Sequence, residues 1–244
     1  SGLLCLFYMK KKFPILHFQK GELRLEKHYY KRLLFIGVPM GLQYSITAIG
    51  SVVLQTAVNG LGAAPMAAIT AGQRISGFCC CVFDALGATM ATYAGQNSGA
   101  REYKRIDRGL WAATKIGSIY AVLICILLVL FGGEIPKIFI DGKEREVLAM
   151  TKQFLIANSL FFIPLVFVNC WRFTIQGMGF SGFAMLAGVS EMIARSLVAF
   201  IFIPIFGYIA ACYASPLAWL FADIFLVPAF YSCLKKLKSK TSVI

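Results

Sequence analysis

The stretch Trp111 to Phe131, WAATKIGSIYAVLICILLVLF, carries a single charge, Lys115, in an otherwise apolar and small-residue run. About 20 such residues are what an α-helix needs to cross a hydrocarbon core about 30 Å thick, because lipid offers no hydrogen-bond partner to any more open backbone. Lys115 lies near the start of the run, where its alkyl stem can carry the ammonium to the interface, and Lys152 is placed likewise at the edge of another run. Five further stretches pass the same test: Leu33 to Val58, Pro65 to Ala94, Val147 to Trp171, Phe183 to Ile205 and Tyr208 to Tyr231, each bounded by Gly, Pro or charge. Composition agrees. Of 244 residues, 59% are hydrophobic and 14% charged, with a mean hydropathy of +0.73, against about 45–50% and about 25% in soluble domains. An ordinary soluble enzyme and a disordered chain are both excluded, and the expected fold class is an all-α membrane protein.

Orientation follows from the basic residues, since Lys and Arg in short loops stay on the cytoplasmic side. Lys10, Lys11, Lys12, Lys20, Arg24, Lys27, Lys31 and Arg32 precede the first full span. Arg101, Lys104, Arg105 and Arg108 follow the second, Arg172 follows the fourth, and Lys235, Lys236, Lys238 and Lys240 follow the sixth. With six alternating spans these fall on one side. Lys137, Lys143 and Arg145 on the other are mixed with Glu134, Asp141, Glu144 and Glu146. Both ends of the chain are therefore expected in the cytoplasm of a multi-pass plasma or inner-membrane protein. This topology and anionic headgroups account for the net charge of +13 without nucleic acid. The segment Lys12 to Arg32 is expected along the membrane surface, as a short amphipathic connector or a lipid-sensing element. Gly2 to Met9 is too short to cross and has its charges after rather than before it, unlike a signal peptide, so it is expected to be the cut end of a helix. The eight cysteines lie in apolar runs without CxxC spacing, which fits small packing residues rather than a disulfide framework or zinc module. No Walker A loop, HExxH or GxSxG occurs, and His17 and His28 both sit in the surface stretch, so no enzyme and no cofactor are expected.

Ionisable groups within spans are costly and mark functional candidates. Arg74 and Asp84 lie in the second span, Glu191 and Arg195 in the fifth, and Asp223 in the sixth. Glu191 and Arg195 are four residues apart in the favourable acid-first order, which predicts a mutual ion pair that holds a gate or takes part in coupling. Asp84 precedes Gln96 by twelve residues, about 18 Å of helix, and is a candidate either for ion coupling or for pairing with a neighbouring helix. Asp223 reads as a packing residue. In the first full span Gln43, Thr47, Ser51, Gln55 and Asn59 recur every four residues, a polar stripe suited either to interhelical hydrogen bonds or to a water-filled cavity. The fourth span adds Asn158, Phe162 and Asn169, with Pro164 as a kink. Eleven residues return Asn169 to the azimuth of Asn158, and a polar and aromatic face suits amphipathic cations.

The loops carry signatures. Gln96-Asn97-Ser98-Gly99-Ala100 with the basic run ending at Arg105-Ile106 resembles the cytoplasmic loop of the multidrug and toxic compound extrusion (MATE) family of efflux antiporters. Gln176-Gly177-Met178-Gly179 is similar to that family's QGxG loop, and Glu191 to Arg195 to its ExxxR helix. Asn59-Gly60-Leu61-Gly62 and Pro216-Leu217-Ala218-Trp219 also fit. The resemblance runs from about residue 35 to 232. It implies two six-helix lobes of the wider MOP superfamily, each carrying such loop motifs once. This chain is then the C-terminal lobe (33–234), preceded by the end of a truncated helix (1–9) and a basic inter-lobe linker (10–32), and followed by a basic tail (235–244). The implied function is H+- or Na+-coupled export of organic cations and drugs by alternating access, with a missing N-terminal lobe and the bilayer as partners.

Gln43, Thr47, Ser51, Gln55, Asn158, Phe162 and Asn169 are expected to line the substrate cavity, and Asp84, Glu191 and Arg195 to couple or gate. One branch of the family carries acids in the helices matching the first and fourth spans; here those spans have none. A second-lobe sodium site is therefore not expected, and coupling falls first to an acid of the missing first lobe, with Asp84 and Glu191 as the carboxylates to test for any contribution of this lobe. The rival readings are a lipid-linked oligosaccharide or peptidoglycan-precursor flippase of the same superfamily, for which only Arg74 and Arg195 would meet a pyrophosphate, and a membrane scaffold without transport.

Overall fold

The computed structural model describes residues 2–13, 26–138, 140 and 144–241, and among these every regular element is helical. The chain divides into two units, residues 1–35 and 36–244. The first holds α1 (Gly2–Lys12) and the opening turns of α2 (Lys27–Asn59). Of the expected surface connector, residues 14–25 lie outside the described residues. Lys27 to Arg32 are the first turns of α2 itself rather than a separate surface helix.

The second unit contains the rest of α2, then α3 (Ala63–Gly99), α4 (Tyr103–Phe131), a 3₁₀ turn at Ile135–Ile138, α5 (Arg145–Ser159) and α6 (Phe162–Gly177). Next come α7 (Ser181–Leu197), a π-helical turn (Val198–Phe202), α8 (Ile203–Phe206) and α9 (Tyr208–Thr241). Five stretches, namely α2, α3, α4, Ser181–Phe206 and α9, are each long and apolar enough to cross a membrane, and the pair α5 and α6 makes a sixth. The protein is therefore multi-pass. α9 continues to Thr241, so Lys235, Lys236 and Lys238 ride on the last turns of a helix.

One of the spans is broken and another is locally widened, and a proline sits at each. The fourth was expected to be one kinked helix; it is interrupted at Leu160 and Phe161, and its halves meet at 52°. Pro164 has no N–H to offer the Leu160 carbonyl and its ring crowds that oxygen, so the break falls one turn before the proline. The two halves no longer share one azimuthal frame, and the alignment expected of Asn158 and Asn169 does not hold. In the fifth span Pro204 plays the same part. The preceding turn widens to a π-helix over Val198–Phe202, and Gly207, at φ +59°, closes the short α8 before α9 begins.

Two close approaches set the packing. α6 runs against α3 so tightly that a Cβ on Gly177 would lie 2.2 Å from the Ala91 carbonyl oxygen. That distance excludes any side chain and gives the QGxG signature a steric basis. α7 packs along α9, and the buried residues of both include many small ones, Ala184, Ala187 and Ala194 on one and Ala211, Ala214, Ala218 and Ala222 on the other. The core between α3, α4, α6 and α9 is aromatic. Trp171 packs its ring 5.6 Å from Trp111, 5.8 Å from Phe167 and 5.2 Å from Phe230. The outward face of α4 is instead a row of exposed aliphatics, Ile116, Ile119, Leu123, Ile126 and Leu130. Such a surface fits acyl chains rather than water.

Candidate functional site

The polar stripe of α2 turns inward at its first half. Gln43 is 2% exposed and accepts a hydrogen bond from Gln176 Nε2 at 2.7 Å. Thr47 is half-buried, and its carbonyl accepts from Arg195 Nη1 at 3.3 Å. The same Nη1 donates to Ser51 Oγ at 3.3 Å. α2 can approach α7 this closely because a Cβ on Gly50 would already sit 3.1 Å from the Met192 Cα, and one on Gly188 3.1 Å from the Gln43 side chain. Interhelical hydrogen bonding, one of the two readings of the stripe, thus occupies the side chain of Gln43, whereas Thr47 contributes its carbonyl and its buried hydroxyl has no partner. Ser51 and Gln55 line a cavity of about 50 Å³, with Gln73, Phe154, Arg195 and Ser215 among its other walls. Gln55 also donates to Asn59 Oδ1 at 2.9 Å.

Behind the stripe lies a buried charge cluster. The expected pair forms, with Arg195 Nη2 3.5 Å from Glu191 Oε2. It is joined by a partner that sequence reading placed elsewhere. Arg172, expected in a cytoplasmic loop, is inside α6, 8% exposed, and its guanidinium is hydrogen-bonded and ion-paired to Glu191. The apolar run does not end at Trp171 but continues through Ile175, so the arginine is enclosed and must be compensated. Asp223 on α9 is half-buried. Its Oδ1 has no hydrogen-bond partner, and neither has Arg172 Nε. Two guanidiniums, one from α6 and one from α7, therefore share the single carboxylate of Glu191.

The expected residues of the fourth span sit in the lobe's interior. Asn158 is buried and donates to the carbonyls of Phe154 at 2.9 Å and Cys212 at 3.2 Å, tying α5 to α9. Phe162 is 1% exposed and edge-on to Phe83 at 5.6 Å. Asn169 is buried and donates to the Leu165 carbonyl at 3.3 Å. Each is packed against this chain's own helices and none is brought to an open wall.

α3 presents a surface that the sequence reading passed over except for its charges. Thr70, Arg74, Gly77, Cys81, Asp84 and Ala88 are all exposed and recur at three- and four-residue steps, so they form one helical face of small and polar groups. Phe78, 73% exposed, borders this face one turn from Arg74, and the aliphatic row of the outer face of α4 has no counterpart on it. Thr70 and Arg74 also line an open pocket of about 490 Å³ with Glu144 and Val147. The 3.5-residue recurrence of small residues around Arg74 and Asp84 was the available signal. Among the described residues no group of three His, Cys, Asp or Glu side chains is placed to hold a metal ion.

With this geometry in view, the comparisons with known proteins are consistent with one another. The chain is 29% identical over 168 residues to "Probable multidrug resistance protein YpnP" of Bacillus subtilis, covering 69% of this chain and 36% of that one. It is 24% identical over 154 residues to "Probable multidrug resistance protein YoeA" of the same organism, covering 60% and 32%. The chain thus spans about a third of the length of the curated relatives it matches. Among solved structures, the Vibrio cholerae MATE transporter VcmN in its bent form superposes with a TM-score of 0.82 at 16% identity, covering 91% of this chain and 50% of that one. A MOP superfamily transporter from Pyrococcus furiosus gives 0.74 at 21%, covering 81% and 44%. These identities show a shared fold. The sequence profile of MatE matches residues 39–201, which is most of this chain, and on that match the chain belongs to the MatE family.

Proposed function

We propose that the chain is the C-terminal six-helix half of a cation-coupled exporter of organic cations, working by alternating access against a first lobe. The observation that carries this reading is the exposed polar face of α3, with Asp84 at its centre, on a lobe whose other faces are built for lipid or for packing. A charged, small-residue face that spans the bilayer has no use against acyl chains and fits the wall of a wet cavity between lobes. Ser51 and Gln55 of α2 adjoin that wall. Gln43, Thr47, Asn158, Phe162 and Asn169 support it from within, and Glu191 with Arg195 holds α7 to α2. The relatives named above as multidrug resistance proteins favour drug-like cations as cargo. The topology that puts Arg101, Lys104, Arg105, Arg108 and the lysines of α9 in the cytoplasm places both ends of the chain there as well. Residues 1–9, 10–32, 33–234 and 235–244 are then helix end, linker, lobe and tail. The coupling ion is H+ or Na+, taken from a gradient, since the chain has no nucleotide-binding loop.

The test is efflux of a fluorescent organic cation from proteoliposomes holding this chain alone or joined to a first lobe. Export by the joined form, reduced at least tenfold by Asp84→Asn, is expected. Transport at the wild-type rate in Asp84→Asn at every pH removes the α3 wall from the mechanism.

A further inference from the structure

The cavity beside Arg195 has a composition of its own. Its volume is about 50 Å³, and its polar walls are Ser51 and Gln55 of α2, Gln73 of α3, Arg195 of α7 and Ser215 of α9. They hold one guanidinium and no carboxylate; the neutral members are hydroxyls and amides, all able to donate. Several of these donors are free. Arg195 Nη1 donates to the Thr47 carbonyl and to Ser51 Oγ, both at 3.3 Å, but Nη2 has only Glu191 Oε2 at 3.5 Å, longer than a good hydrogen bond. Ser51 gives its own proton to the Thr47 carbonyl at 3.1 Å, and Gln55 uses one amide hydrogen on Asn59. Gln73 and Ser215 make no hydrogen bond to any described residue. A helical serine can bond the carbonyl four residues back, as Ser45 and Ser190 do, so Ser215 stands apart in leaving its proton to the cavity. Charge points the same way. Arg172 and Arg195 share Glu191, and among the described residues no other carboxylate, Asp223 included, makes an ion pair with either. Two buried guanidiniums on one carboxylate leave a positive charge unmatched, which is costly without a counter-ion.

We propose that this cavity binds one small inorganic anion of the chloride class, held by Arg195, Gln73 and Ser215, as the second counter-charge of the Arg172–Glu191–Arg195 cluster. The space exceeds the about 10–15 Å³ that a single water needs, and suits a monatomic ion rather than an organic one. A cation is repelled by the guanidinium and finds no acid in the wall. The anion accepts from α3, α7 and α9, so it ties together three helices that are held at this point by no other polar contact among the cavity's free donors. It is a structural ion and distinct from the coupling cation. The site therefore does not rest on the proposed transport function.

The experiment is thermal melting of the full chain in lipid nanodiscs, with sodium chloride or bromide replacing sodium gluconate at constant ionic strength. Gluconate is too large for the cavity. A ligand bound only to the folded state stabilises it with the logarithm of its concentration. Above the dissociation constant the midpoint is therefore expected to rise by about 3–5 °C for each tenfold increase in chloride. Bromide should substitute for chloride. Ser215→Val and Gln73→Leu leave the Glu191 ion pairs in place and so keep the fold, and each should cut the halide-dependent rise at least by half. A midpoint that does not respond to halide overturns the proposal. So does a response that persists undiminished in both variants, since it then reports a general salt effect.

Discussion

Replacing Glu191 by Gln is the sharpest test of the buried cluster. The substitution keeps side-chain volume and one carbonyl acceptor, so packing is preserved and only the charge is lost. Glu191 is 3% exposed and its partners Arg172 and Arg195 are each 8% exposed, leaving little solvent to screen what remains. Breaking a buried pair by removing one partner costs about 3–5 kcal/mol, because the other charge is left uncompensated. Here a single carboxylate serves two guanidiniums, so the upper part of that range applies. For a chain of this size each kcal/mol moves the melting midpoint by about 2–4 °C, so about 4–5 kcal/mol gives an expected fall of about 8–20 °C. The assay is thermal melting of the purified chain in lipid nanodiscs, followed by far-UV circular dichroism. Adding Arg172→Gln to the same chain removes one of the orphaned charges, and the double variant should recover at least about half of the loss, a coupling of the size that double-mutant cycles report for residues in one network. A Glu191→Gln protein that melts within about 2 °C of the parent, or a double variant less stable than the single, would falsify the assignment of a shared buried carboxylate.

Other substitutions probe separate parts of the structure. Gly177→Ala places a methyl 2.2 Å from the Ala91 carbonyl, where ordinary contact begins near 3.4 Å, and since the obstacle is backbone the helices must part. The cost should be about 1–3 kcal/mol, read as a lower melting midpoint, and an unchanged midpoint refutes the close approach. Gln43→Leu leaves the buried amide of Gln176 without its acceptor and should cost about 1–3 kcal/mol while leaving the substrate profile intact. An altered profile at normal stability would return Gln43 to the cavity wall. Asn158→Leu removes the bonds to the Phe154 and Cys212 carbonyls and should destabilise the α5–α9 contact by about 1–3 kcal/mol, measurable by faster hydrogen exchange in α5.

The number of spans was legible because lipid imposes one length and one backbone conformation on every crossing. The Glu191–Arg195 pair was legible for a similar reason, since four residues on a helix fix a neighbour without knowledge of the fold. Arg172 was not. It stands nineteen residues from Glu191 on another helix, next to a Trp that ends a plausible apolar run, and a charge at that place reads as punctuation. Only the packing of α6 against α7 shows it to be enclosed. The α2 stripe failed differently. Periodicity identifies a polar face but not what it faces, and in a membrane another helix and water are equally good reasons for polarity. Gly50 and Gly188 settled the matter, because they let α7 close over Gln43 and Thr47. The α3 face escaped notice because most of its members are small rather than polar, and small residues also mark tight helix contacts. In the fourth span the azimuth argument assumed a straight helix, which Pro164 does not permit.

Arg195 is where the buried and open parts of this architecture meet. One nitrogen of its guanidinium reaches the Thr47 carbonyl and Ser51 hydroxyl of α2, and another faces Glu191, whose second partner is Arg172 on α6. A lysine in its place would offer one point charge and could not span both directions, which a planar fork of donors does. The side chain also lines the cavity that Ser51 and Gln55 share with Gln73 and Ser215. Loss of Glu191 would therefore remove the anion that holds the second nitrogen of Arg195 and leave the bonds to α2 as the remaining anchor of a buried guanidinium, so the stability of the charge pair and the seating of α7 on α2 depend on one carboxylate.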